Sequence, residues 1–370
     1  MKVFLVHYWL NSMRGGEKVL EQMIDLFPEA KIITNYYSNK RISKPILDRI
    51  YKTSLINNLP FVEKFYRHYL PIYPLALKNI KVKSADVVIS SESGPAKGIQ
   101  VPSHIPHICY THTPMRYIWD MQSEYFGEGM KRKIIQPFIN YLRKWDYNSA
   151  QRVDFFVANS HYVKKRIRRF WGRTSEVIYP PVDTKNFSIS NTIDDYYLLF
   201  GQSTKYKRHD LAVKAFNENK KKLIVIGEGE ELTYLKSISK NNISFLGRIN
   251  NKLMKKYLSR CRALIFPGIE DFGIIPVECM ASGRPVIAFN KGGATETIIN
   301  KKTGLFFDKQ SSDSLNQKIN DFELIEHKFD PLYIKKHSLN FDKKIFKQKF
   351  LKFINNSIEF FINNDFSNKR

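Results

Sequence analysis

The feature that most constrains this chain is an alternation, kept up through most of its 370 residues, between short β-branched or aromatic runs and segments of helical period. Parallel strands need long crossovers, most often helices, so the pattern predicts an α/β chain of parallel sheets flanked by helices. In the first half KVFLVHY, KIITN, DVVIS, HICYT, DFFVAN and EVIYP read as strands. The second half repeats the rhythm with YYLLFG, KLIVIG, ISFLG, ALIFP, PVIAF and GLFF. After the first strand, Val19, Leu20, Met23, Ile24 and Phe27 form one apolar stripe, predicting a helix that begins near Gly16 and stops at Pro28. A chain this long is expected to build two cores. The segment YPPVDTKNFSISNTIDD, with Pro180, Pro181 and a polar run, reads as the linker. The expected domains are therefore 1–183, with 341–370 packing back on it as a closing helix, and 184–340.

Composition narrows the class. Lys and Arg number 60 against 35 Asp and Glu, a net charge of +25, so anionic partners are expected: phosphates, a membrane surface or nucleic acid. The excess is concentrated between Lys131 and Arg173, where 12 basic and 2 acidic residues are interleaved with Trp145, Phe155, Tyr162 and Trp171. A solvated basic face, an anionic membrane and nucleic acid are its candidate readings, in that order. Three cysteines, Cys109, Cys261 and Cys279, lack disulfide-framework or metal-ligand spacing. No run of about 20 apolar residues occurs, and the amino terminus has no small-residue cleavage site, so a cytoplasmic protein that touches a membrane without crossing it is expected.

The chemistry-bearing residues follow strands. In FPGIEDFGIIPVECMASGRPVIAFNKGGATE a strand ends at Phe266, a turn carries Glu270 and Gly273, and a helix runs through Glu278. Such a helix start offers free amides and a positive dipole end to a phosphate, and a carboxylate there can accept hydrogen bonds from a ribose diol. The competing reading makes both acids ordinary helix-start acids. In FGQSTKYKRHDLAVKAF a strand ends at Gly201 and a basic loop with Lys205, Lys207 and Arg208 precedes a helix starting at His209 or Asp210. Cations fixed there would stabilise a leaving phosphate. NSMRGGEKVLE places Gly15 and Gly16 at a strand-to-helix turn, and HICYTHTPMRYIWD places His112 just past a strand. Alternatively, Gly15 and Gly16 make only a tight turn and His112 is a satisfied structural histidine.

Glu270 and Glu278, enclosing seven residues and followed by ASGRPVIA and GGATE, resemble the signature of family 4 of the GT-B glycosyltransferases. That resemblance implies two Rossmann-like domains facing across a cleft, a retaining reaction and no bound metal or cofactor. It implies that Glu270 meets the donor sugar, Glu278 the nucleotide ribose, and His112 the reacting sugar, with Lys207 as the catalytic cation. The family's arginine after the glycine is replaced by Gln202, which leaves Arg208 or Lys205 to compensate. The implied donor set also takes in Gly15, Gly16 and Arg248, and the helix start at Phe272, Gly273, Ile274 and Ile275. Arg116 and Asp120 are expected on the acceptor side, and Asn159 and Ser160 as caps. The strings Glu270-Asp271-Phe272-Gly273 and THTPMRY are similar to bacterial mannosyltransferases of surface-polysaccharide and O-antigen assembly. Hence GDP-mannose is the expected co-substrate, a lipid-linked glycan the acceptor, and the inner face of the cytoplasmic membrane the location.

Three rivals stand beside this. Gly227 and Gly229 in IGEGEELTYL suggest a nicotinamide site, but Leu232 occupies the position of the third glycine of that fingerprint. The charge suggests a nucleic-acid-binding protein, yet no recognised nucleic-acid motif occurs. The same architecture also serves epimerases and phosphorylases.

Overall fold

A computed structural model describes residues 1–127 and 129–364. The chain forms two compact units, Met1–Pro181 with Phe346–Arg370, and Val182–Ile345. The first unit carries seven strands: β1 (Val3–His7), β2 (Lys31–Thr34), β3 (Ile50–Thr53), β4 (Val87–Glu92), β5 (His107–Thr111), β6 (Phe155–Ala158) and β7 (Glu176–Val177). All pair in parallel, in the order β3-β2-β1-β4-β5-β6-β7. The second unit carries β8 (Tyr197–Phe200), β9 (Leu223–Ile226), β10 (Ile243–Gly247), β11 (Leu264–Phe266), β12 (Val286–Phe289) and β13 (Gly304–Phe307). Their parallel order is β10-β9-β8-β11-β12-β13.

Each sheet thus runs outward from its first strand in both directions. The crevice where the order reverses, between β1 and β4 and between β8 and β11, is where doubly wound sheets bind ligands. Central strands are buried on both faces, which explains why their sequences do not alternate apolar with polar: every residue of β1 and of β4 is buried, including the polar His7, Ser90, Ser91 and Glu92 at their carboxyl ends. β3 lies in the stretch where no strand was expected. Its sequence, IYKT, is partly exposed and edge-placed, so it carries no apolar signature. EVIYP shortens to a two-residue edge strand.

Six helices matter for the site and its support: α1 (Gly15–Leu26), α2 (Met130–Gln151), α3 (His161–Trp171), α4 (His209–Asn219), α5 (Ile274–Ala281) and α6 (Lys343–Asn363). α1 turns Val19, Leu20, Met23 and Ile24 onto the sheet, as its stripe predicts. The closing helix α6 inserts Phe346, Phe350 and Ile354 into that same core. The units divide at Pro181 and Ile345, against expected boundaries of 183 and 341. The cause is local. Val182 N–H donates to Phe341 O at 3.0 Å, Lys343 N–H donates to Val182 O at 3.0 Å, and the Thr184 hydroxyl donates to Asp342 Oδ2 at 2.5 Å. These bonds keep 341–345 with the second unit before α6 turns to the first.

Candidate functional site

In the second unit the loops after β8 and β11 meet. Lys207 Nζ lies 2.9 Å from Glu270 Oε1, with both side chains mostly buried. The ammonium sits over Gly201: a Cβ there would stand 3.2 Å from Lys207 Nζ and 3.0 Å from Ile275 Cδ1. A side chain at 201 would therefore occupy the space between the lysine and the start of α5. The Glu270 loop is held from behind, where Gly293 N–H donates to Glu270 O at 2.9 Å. A Cβ on Gly293 would fall 2.3 Å from Phe272 Cα, so only glycine permits this approach. The Gly-Gly element of GGATE thus serves to set the loop carrying Glu270.

Gly273, at φ +88°, is the N-cap of α5. The amides of Ile274 and Ile275 have no partner within the helix, and Pro276 needs none. Glu278 lies one turn further in and is 6% exposed. Phe272 is buried, its ring edge-on to Phe341 at 5.7 Å, so it packs the loop rather than presenting a face. Arg208 adopts φ +53° and turns its guanidinium to Asp210, with Nε 3.1 Å from Oδ1. Gln202 and Lys205 are exposed. Arg248 is exposed just beyond β10, two strands from β8 in the sheet order. Of the cations in the loop after β8, Lys207 is the one poised over Gly201.

Gly227 and Gly229, already short of the third glycine of a nicotinamide fingerprint, have a packing role. A Cβ on Gly227 would lie 1.9 Å from Gly201 O, and one on Gly229 2.2 Å from Ser203 O. The two glycines let the loop after β9 press against the loop after β8, a packing need sufficient to explain the pattern.

In the first unit His7 ends β1, Ser91 lies near the end of β4 beside it in register, and His112 follows β5. Their side chains join. Ser91 Oγ is 3.0 Å from His7 Nδ1 and 2.8 Å from His112 Nε2. Burial, with His7 nearby, lowers the His112 pKa to about 3, so its imidazole is neutral. Gly15 and Gly16 open α1 at this point: a Cβ on Gly16 would stand 3.0 Å from Tyr8 Oη and 3.6 Å from His112 Nε2. Arg116 and Asp120 belong to the turn after His112, where Met121 N–H donates to Arg116 O at 2.9 Å. Both Asp120 oxygens accept from Arg166, at 2.9 and 2.7 Å, so this carboxylate braces the turn against α3. Ser160 caps α3, its hydroxyl accepting from Val163 N–H at 3.0 Å.

Two family models match this chain: "Glycosyltransferase Family 4" over residues 15–186 and "Glycosyl transferases group 1" over residues 183–337. The chain belongs to the family 4-type GT-B glycosyltransferases. An uncharacterised glycosyltransferase of Methanocaldococcus jannaschii is 24% identical over 81% of this chain and 83% of its own length. The α-1,3/1,6-mannosyltransferase ALG2 of Saccharomyces cerevisiae is 29% identical over 46% of this chain and 44% of its own. The O-antigen chain mannosyltransferase RfbU of Salmonella typhimurium is 27% identical over 46% of this chain and 50% of its own. The match thus spans about half or less of each of these two mannosyltransferases. Among solved structures, HepE of Anabaena in complex with UDP aligns with TM-score 0.72 at 16% identity, over 96% of this chain and 100% of that one. The outer-core galactosyltransferase WaaB aligns with TM-score 0.65 at 17% identity, over 97% and 99%. Both show the fold.

Motif reading of this glycosyltransferase missed His7, Ser91 and Glu17. A histidine closing a buried strand and an acid directly after Gly15-Gly16 were the available signals. It also missed a buried ionic cluster in the first unit. Lys97 lies between Glu92, at 3.5 Å, and Asp146, while the indole N–H groups of Trp119 and Trp171 both donate to Asp146 Oδ2 at 2.7 Å. Burial pushes the Glu92 carboxyl up to about 7. Four strand and helix segments converge there, which no local spacing announces.

Proposed function

We propose that this glycosyltransferase moves a hexose, with mannose the first choice, from a nucleoside-diphosphate sugar to a hydroxyl of a lipid-linked glycan with the donor's anomeric configuration retained. The observation that carries the reading is the Lys207–Glu270 pair over Gly201, beside the free amides of α5. As the glycosyl–phosphate bond breaks, charge grows on the leaving diphosphate, and a fixed ammonium and a helix amino terminus are arranged to meet it. On this reading the protein's own cation and amides carry that charge, with no bound metal or organic cofactor required. Glu270 holds the lysine and accepts from sugar hydroxyls. Glu278 accepts from the ribose diol, and the neutral His112 accepts from a hydroxyl of the reacting sugar. Support for mannose and for a surface-polysaccharide acceptor comes from the named activities of the yeast and Salmonella relatives.

The test is a panel of sugar nucleotides, including GDP-mannose and UDP-glucose, scored by hydrolysis and by shift in melting temperature. A ligand that binds the native state raises the latter. GDP-mannose is expected to give the largest effect. Protection by NADH with no response to any nucleoside diphosphate would overturn the reading, as would salt-sensitive RNA binding without sugar-nucleotide turnover.

A further inference from the structure

The His112 cluster does not end at Ser91. His7 is fully buried, and its Nε2 makes no hydrogen bond but lies 3.6 Å from Glu17 Oε1. Glu17 is itself buried, third in α1, and its other oxygen accepts from Arg14 N–H at 3.0 Å. A file of four side chains therefore runs Glu17, His7, Ser91, His112, drawn from α1, β1, β4 and the loop after β5.

The file has a direction. A carboxylate oxygen accepts, so when the His7 ring carries a single proton that proton belongs on Nε2, facing Glu17, rather than a lone pair. His7 Nδ1 is then an acceptor, and the Ser91 hydroxyl must donate to it. The Ser91 oxygen is left to accept, so His112 carries its proton on Nε2. That leaves His112 Nδ1 as a lone pair. In metal sites and catalytic triads alike, the partner of one ring nitrogen decides what the other can do.

We infer that Glu17, His7 and Ser91 are positioning residues that fix the tautomer of His112, so that its Nδ1 is presented to substrate as a hydrogen-bond acceptor. None of the three touches substrate in this account. The tautomer follows from the file alone, whereas its use in catalysis rests on the reading of His112 given above.

The direction can be reversed by one substitution. In Glu17→Gln the amide oxygen can still accept from Arg14 N–H, while the amide NH2 faces His7 Nε2. His7 then accepts at Nε2 and donates from Nδ1, Ser91 turns its hydroxyl toward His112 Nε2, and His112 carries its proton on Nδ1. NMR of protein labelled with 15N in the histidine rings separates the two tautomers. Loss of one signal set in His112→Asn assigns the resonance. At mildly alkaline pH the full-length wild type is expected to hold the Nε2–H form and Glu17→Gln to shift His112 toward the Nδ1–H form. Ser91→Ala is expected to give a mixture that Glu17→Gln no longer alters. An unchanged His112 tautomer in a Glu17→Gln protein with a native amide spectrum overturns the inference. If that variant does not fold, an unchanged tautomer in Ser91→Ala does so. Turnover of the sugar nucleotide is read separately. Loss of the acceptor is expected to lower kcat about tenfold with nucleoside-diphosphate affinity kept. A reversed tautomer with unchanged kcat keeps the positioning role and counts instead against His112 in the reaction.

Discussion

Among single residues, Lys207 and Glu270 make the sharpest claim. Each was assigned from a separate motif, and the fold brings them to 2.9 Å. If they act as a unit, removing either spoils the other, because an unpaired, mostly buried charge is left behind. Glu270→Ala and Lys207→Ala are expected each to lower kcat by about a hundredfold or more, with the double variant little worse than either single one. Losses that simply multiply would show that the two work independently. Glu278→Ala should instead weaken nucleoside-diphosphate binding, measured by calorimetry. These acids stood out because their spacing, together with the ASGRPVIA and GGATE elements that follow, resembles a family signature. Nothing in the sequence joined His7 to Glu17, since their contact arises where a strand end meets the next helix start.

For elements, the junction of β8 with α4 gives a pH prediction. His209 opens α4, is buried, and has its Nδ1 3.0 Å from Ser203 Oγ, tying the loop to the helix. Burial, with Lys207 nearby, lowers its pKa from 6.5 to about 3. The unfolded chain therefore binds a proton that the native chain refuses. This contribution is fully present above about 6.5 and is lost as pH falls toward 3. The slope is about 1.4 kcal/mol per pH unit within that window. His112 acts in the same direction, and Glu92, raised to about 7, in the opposite one. Urea unfolding over this range should show His209→Gln losing less stability on acidification than wild type, and parallel curves would refute the assignment. The basic stretch is also resolved at this scale. Arg143, Arg152 and Arg173 donate to backbone carbonyls and Arg166 to Asp120, so these four are structural. Lys164, Lys165, Arg168 and Arg169 remain exposed along α3, and Met130, Ile134 and Tyr141 are exposed on α2. The side chain of Lys131, where the stretch begins, lies outside what is described. We expect the protein to sediment with anionic liposomes at low salt and to be released as salt rises. Charge reversal at Lys165 and Arg169 should weaken that binding, and indifference to lipid charge would remove the proposed membrane contact.

At the scale of the whole molecule, the closing helix joins residues far apart in the chain. Phe350 is fully buried, stacked on Phe346 at 5.2 Å and edge-on to Tyr110 at 5.7 Å. Phe350→Ala should cost about 3–5 kcal/mol. The loss should appear in hydrogen exchange of the first unit, although the substitution lies near the carboxyl end. Equal effects on both units would mean that they unfold together. Among the described residues no helix is long and apolar enough to cross a membrane.

Sequence by itself determined the doubly wound class and, among the described residues, twelve of the thirteen strands, while the donor-side roles of Glu270 and Glu278 belong to the proposed function. Strand periodicity and glycine-spaced motifs are local properties, legible wherever burial makes a strand apolar throughout. It missed β3, whose partly exposed edge residues carry no such mark, and the backbone bonds of Val182 to Phe341 and Lys343, which hold 341–345 with the second unit, leave no trace in composition. Only the tertiary structure decided that Lys207, not Arg208, stands over Gly201, that Asp120 belongs to Arg166, and that Glu17 reaches His112 through two intermediaries. Each of those facts depends on which strand ends are neighbours, a matter settled by sheet order and not by distance along the chain.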